Sequence, residues 1–120
     1  MNTPQPIPPT ASLDHPDRPD TARLREAASV FAMLSEPTRL ELLWLLTEGP
    51  ATVTGLADSV DASRTAVSQH LAKLRLVGLV EASRDGRHKI YQLVSGHVTR
   101  LVREALNQAD HTVSGEEPHH

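Results

Sequence analysis

The chain has 120 residues, a formal charge of −3 and no cysteine. That length bounds it to one domain, and the absence of thiols excludes disulfides and every thiolate metal site. No apolar run is long enough for a membrane span and the N-terminus lacks the basic and apolar regions of a signal peptide, so a cytoplasmic protein without a membrane partner is expected.

Residues 1–20 carry Pro4, Pro6, Pro8, Pro9, Pro16 and Pro19 and almost no apolar periodicity. They are expected to form a disordered N-terminal tail, because such a composition buries too little apolar surface to offset the entropy of ordering it. Residues 111–120 are short, polar and acidic, and are expected to form a flexible C-terminal tail. Folding is therefore assigned to residues 21–110. A core that small is marginal alone, and pairing with a second copy would help it.

In chain order, Leu24, Ala27, Ala28, Phe31 and Leu34 recur at helical spacing and predict an amphipathic helix over Thr21 to Leu34. Ser35-Glu36-Pro37 breaks it and starts a second, with Pro in the first turn, where its missing N–H costs nothing. Leu40, Leu43, Trp44, Leu45 and Leu46 give that second helix a wide apolar surface, so central burial is expected. Glu48-Gly49-Pro50 stops it. Thr52 or Thr54 can cap a short third helix carrying Val53, Leu56 and Ala57. Ser63 is a suitable N-cap for a fourth helix through Leu76, and Gly78 supplies its stop.

The period then changes. Residues 79–83 and 88–94 read as strands, joined by Arg84-Asp85-Gly86-Arg87, where Asp-Gly is a hairpin-turn signal. A last helix is expected from Gly96 to Asp110, with a stripe of Val98, Leu101, Val102, Ala105, Leu106 and Ala109. The fold is thus mainly α with a small β-hairpin. Two short helices across a tight turn, followed by a basic hairpin, is the order of a winged helix-turn-helix.

The negative total charge hides a local positive one. Between Ala62 and Arg103 lie Arg64, Lys73, Arg75, Arg84, Arg87, Lys89, Arg100 and Arg103 against only Glu81 and Asp85. A basic patch of this kind is what phosphate binding needs. The outer face of the fourth helix carries Ser63, Arg64, Thr65, Ser68, Gln69 and Lys73, side chains suited to base edges and phosphates. His70 lies beside this row and is assigned to either DNA or core. The hairpin offers Arg84, Arg87, His88 and Lys89 for the adjacent backbone or minor groove. Ordinary solvated polar faces, or a protein-interaction module without DNA binding, remain the bland alternatives. No Gly-rich phosphate loop, nucleophile motif or paired acidic cluster suggests an enzyme.

The segments Leu34 to Leu43, Ser63 to Arg75, and Gly78-Leu79-Val80 through Asp85-Gly86-Arg87 with Tyr91 resemble the ArsR/SmtB repressors, over roughly Ala27 to His111. The resemblance implies a homodimer formed through the first and last helices and bound to an inverted-repeat operator. Two-fold symmetry would space the half-sites about one DNA turn apart. It also implies release from DNA when an inducer, commonly a metal ion, binds.

The family's cysteine-based site on the third helix is absent, since that stretch reads Ala51 to Asp58 without thiols. The other family site, on the last helix, uses an Asp-x-His pair near the helix start and two His near its end. Here His97 and His111 match, while Ser95 and Gln108 replace the other two. Fourteen residues apart on a helix is roughly 21 Å, so the two imidazoles cannot share one ion within a chain. They can approach across an antiparallel pair of terminal helices. Ser95, Gln108, Asp110, His15, His119 and His120 could complete the ligand set. Imidazole and oxygen donors suit Ni²⁺, Co²⁺ or Zn²⁺, and nickel- and cobalt-sensing actinobacterial members of the family resemble this chain. The competing expectation is a degenerate site, in a regulator that takes its signal from an accessory partner protein.

Overall fold

The computed structural model describes residue 4 and residues 15–116. Most of the expected N-terminal tail, together with His119 and His120, lies outside the described residues.

Among the described residues five helices and three short strands follow in the order α1 (Thr21–Leu34), α2 (Pro37–Leu46), β1 (Ala51–Thr52), α3 (Val53–Ser59), α4 (Arg64–Leu76), β2 (Val80–Asp85), β3 (His88–Leu93) and α5 (Gly96–Glu116). Each early helix is started by a side-chain cap. Asp20 accepts from the Arg23 amide, Glu36 from Arg39, Thr52 from Gly55 and Ser63 from Ala66. These caps satisfy backbone N–H groups that have no partner within the helix. Between the two possible caps for α3, the structure selects Thr52.

The end of α4 is a Schellman motif. Gly78, at φ +76°, donates to the Arg75 carbonyl, and Leu79 donates to that of Leu74, both at 3.0 Å. This reversal drops Leu79 and Val80 into the core and launches the hairpin.

The core joins Leu42, Leu43 and Leu46 of α2, Leu56 of α3, Val67, Leu71 and Leu74 of α4, and Leu79, Val80, Tyr91, Val98 and Val102. Burial of α2 follows the expectation with two corrections. Trp44 stays 45% exposed, and Leu42, which the spacing argument passed over, is fully buried. α1 contributes no buried residue. Its Val30, Met33 and Leu34 rest against the core, whereas Leu24 and Phe31 remain 56% and 61% exposed. At about 100° per residue these two sets lie on different sides of the helix, so the predicted stripe is divided between an inner contact and a bare apolar face.

The sheet is antiparallel in the order β1-β3-β2. The hairpin was expected; β1, two residues pairing Ala51 with Tyr91 and Thr52 with Ile90, was not. The β2–β3 register runs from Val80 opposite Leu93 to Asp85 opposite His88. That leaves a loop of Gly86 and Arg87 alone, with Gly86 at φ +63° and Arg87 at negative φ. The hairpin expected at Asp85-Gly86 is present, and a positive first loop residue followed by a negative one fits a II′-type turn. Arg84 consequently lies in β2, opposite Lys89.

The last helix continues to Glu116 instead of stopping at Asp110, so His111 is helical. Beyond Val102 the apolar stripe outruns the core: Leu106 is half-buried, Ala105 and Ala109 are exposed, and Val113 is 58% exposed. No helix among the described residues is long and apolar enough to cross a membrane.

Candidate nucleic-acid interface

Helix α4 presents Arg64, Thr65, Ser68, Gln69 and Lys73 to solvent, all exposed. Its opposite side supplies Val67, Leu71 and Leu74 to the core, so burial of one face fixes which face is offered. The Ser63 hydroxyl accepts from the Ala66 amide at 3.0 Å, which engages one of its lone pairs in the cap.

Between α4 and the hairpin runs an open groove of about 360 Å³. Arg64, Thr65 and Ser68 line one wall and Arg87, His88 and Lys89 the other, with Thr52, Val53 and Thr54 at its end. Three cations and several hydroxyls thus converge, and among the described residues no carboxylate lines the groove. Sequence reasoning identified both walls but missed the α3 start, which becomes part of the groove only because β1 pairs with β3 and draws Thr52 toward the hairpin. Gln69, Lys73 and Arg84 lie outside this groove lining.

The hairpin carries an internal conflict. Arg84 and Lys89 stand directly opposite each other, and like charges in that position destabilise a strand pair. The Lys89 ammonium lies 5.7 Å from the centre of the Tyr91 ring, which offsets part of the cost. Lower down, Gln92 donates to Glu81 across the ladder at 2.6 Å.

His70 does not join the exposed row. It is half-buried, and its Nδ1 lies 3.3 Å from Nη1 of Arg39 and 3.8 Å from Oε2 of Glu36. This resolves the choice left open by the sequence: the ring faces α2.

Comparison with known proteins bears on this arrangement. The family model described as the bacterial regulatory protein, arsR family, matches residues 36–82. The HTH-type transcriptional regulator KmtR of Mycobacterium tuberculosis is 43% identical over 91 residues, covering 76% of this chain and 70% of that protein. This chain belongs to the arsR family. NmtR, another HTH-type transcriptional regulator of Mycobacterium tuberculosis, is 38% identical over 92 residues, 77% of each chain. The solved homodimeric winged helix-turn-helix DNA-binding domain of Mb0332 from Mycobacterium bovis, a possible ArsR-family transcriptional regulator, superimposes with a TM-score of 0.74. It is 30% identical and covers 88% of this chain and 100% of that one. As an arsR-family member with this architecture the protein is a winged helix-turn-helix transcriptional regulator and not an enzyme.

The residues considered for a metal fall into separate places. His97, Gln108, Asp110 and His111 are all exposed on α5, and Ser95 immediately precedes it. The His97 Nδ1 is paired with the Arg100 guanidinium. His15 is exposed in the segment before α1, its Nδ1 accepting from the Asp17 amide at 3.1 Å. Among the described residues no group of three or more His, Asp or Glu is close enough to hold an ion.

Proposed function

We propose that this regulator binds an inverted-repeat duplex as a homodimer and represses transcription. In this reading α4 lies in the major groove and the β2–β3 wing lies along the neighbouring backbone. The carrying observation is the groove between α4 and the wing, with Arg64, Arg87 and Lys89 converging on it and no carboxylate among its described lining residues. Thr65, Ser68 and Gln69 supply the short hydroxyls and the amide that read base edges, while Arg64, Lys73, Arg84, Arg87, His88 and Lys89 are assigned to phosphates and sugar edges. The bare faces of α1 (Leu24, Phe31) and of α5 (Ala109, Val113) support pairing through those two helices.

The test is a binding titration against duplexes that the protein enriches from a random-sequence pool. Preference for the enriched duplex over an unrelated one, declining steeply with salt, supports the reading. A salt-independent affinity, or no enrichment, refutes it and leaves the protein-interaction alternative.

For the control side, the specific observation is that His97 and His111 sit on one unbroken helix almost four turns apart. Across an antiparallel α5 pair, His97 of each protomer meets His111 of the other. Ser95, Gln108 or Asp110 are the oxygen or amide donors available there. Such a site would bridge subunits, and Ni²⁺, Co²⁺ or Zn²⁺ suits its chemistry. Because the Arg100 guanidinium only donates, His97 Nδ1 must accept, and a metal on that nitrogen would displace Arg100. Titrating each ion into the dimer while following DNA affinity tests this. Stoichiometric binding that changes affinity and disappears in His97→Ala supports direct sensing. Unchanged DNA affinity with weak binding refutes it and favours a signal received from a partner protein.

A further inference from the structure

Three helices meet at one side chain. Arg39 is buried, at 8% exposure the one polar residue buried among those described. Its Nε donates to the Met33 carbonyl in the last turn of α1 at 2.7 Å. Its Nη1 lies 3.3 Å from Nδ1 of His70 on α4. Its backbone N–H donates to the Glu36 carboxylate that caps α2, at 2.8 Å. A guanidinium has only donors, so in this contact the lone pair of His70 Nδ1 is the acceptor. The Glu36 carboxylate, 3.8 Å from the same His70 nitrogen, balances the buried charge of Arg39. Burial works to raise the Glu36 carboxyl, but hydrogen bonds from the Arg39 and Thr38 amides, with His70 and Arg39 nearby, outweigh it and hold the group below its ordinary value.

Around the Arg39–His70 pair α2 and α4 share an aliphatic core, to which they contribute Leu42, Leu43 and Leu46, and Val67, Leu71 and Leu74. Apolar packing is non-directional, and leucine surfaces alone would tolerate small rotations of α4. A planar guanidinium holding acceptors on two different helices does not, because both bonds depend on direction. α1 has no buried residue of its own, so the Met33–Arg39 bond is a polar tie between that helix and the DNA-reading half.

We propose that Arg39 and His70 are positioning residues, a hydrogen-bonded latch that sets α4 against the α1–α2 junction and passes the placement of α1 to the recognition helix. Neither side chain lies in the exposed row of α4; the latch acts through Thr65, Ser68 and Gln69 by aiming them. The proposal rests on the DNA-binding reading above.

The test compares His70→Leu, which removes the acceptor, with His70→Asn, whose amide oxygen reproduces one at the Nδ1 position. Each is titrated against the duplex enriched by the wild type and against a random duplex of equal length at low salt. Mass and melting temperature are measured alongside. The latch predicts that His70→Leu stays folded, binds the enriched duplex at least tenfold more weakly and holds the random duplex within threefold. His70→Asn recovers most of the loss. Arg39→Lys combined with His70→Leu is no weaker than the weaker single variant within twofold, since both remove the same bond. The latch is overturned if His70→Leu keeps wild-type preference. It is equally overturned if His70→Asn is as weak as His70→Leu, or if the two losses add. A drop on both duplexes in step with lost melting temperature also overturns it, by reducing His70 to a fold residue. If the wild type enriches no duplex, the DNA-binding reading itself falls, and the latch with it.

Discussion

Replacing Arg87 by alanine isolates the electrostatic contribution of the wing. Arg87 is exposed, lines the groove beside Arg64 and Lys89, and sits at negative φ in the turn, so alanine fits its backbone without strain. Each phosphate neutralised on duplex DNA contributes about 0.9 to the slope of log affinity against log salt. In a two-fold dimer the substitution removes two such contacts, so the slope should flatten by about 1.8. Between about 50 and about 200 mM salt, the wild type should therefore lose about twelvefold more affinity than the variant. Fluorescence anisotropy of a labelled operator duplex across that range measures it. Arg25→Ala, an exposed cation on α1, serves as the control and should leave the slope alone. An unchanged slope for Arg87→Ala, or an equal change for Arg25→Ala, would refute the placement of the wing on the backbone.

Four further outcomes follow from the same geometry. Arg84→Thr removes the like-charge pair with Lys89 and should raise stability by roughly 0.2–1 kcal/mol while weakening DNA binding, opposite signs that urea melts and anisotropy separate. Ser63→Ala deletes the acceptor for the Ala66 amide and should cost about 1 kcal/mol in the same urea melts. At Gly86 an added Cβ meets nothing within 4 Å, but φ is +63°, so Gly86→Ala should cost about 1 kcal/mol through backbone conformation alone; a neutral result would contradict the turn geometry. The Glu36 carboxyl is held below its ordinary value of 4.5, so its contribution to stability is present above that pH and is lost as acidity passes through the lower folded value. Glu36→Gln should therefore flatten the acid limb of stability against pH, and an unchanged limb would show that the carboxylate is not the titrating group.

Much of the architecture was legible because its signals are local. Caps, helix-breaking Gly and Pro, three- and four-residue apolar spacing and the change of period after Gly78 depend only on neighbours along the chain. They placed four helix starts, the hairpin and the exposed rows of α4 and the wing. The failures share a cause. β1 is only two residues long and exists through pairing with a strand distant in sequence, so no local pattern announces it. Arg84 and Asp85, read as part of the turn, belong to β2, because strand register is decided by pairing. The extension of α5 to Glu116 overrode a polar composition, and Trp44 looked like core because spacing counts apolar residues without knowing which neighbours arrive to cover them.

What the sequence by itself determined is the order of elements and the kind of chemistry each exposes: hydroxyls, an amide and cations on α4 and the wing, imidazoles on the last helix. The tertiary structure alone decided which of these meet. It closed the wing against Arg64, Thr65 and Ser68 to make one cationic groove. It turned His70 inward to Arg39. Side-chain identity is encoded residue by residue, but convergence of groups from separate elements depends on packing across the core, where directional hydrogen bonds and buried leucines select one arrangement.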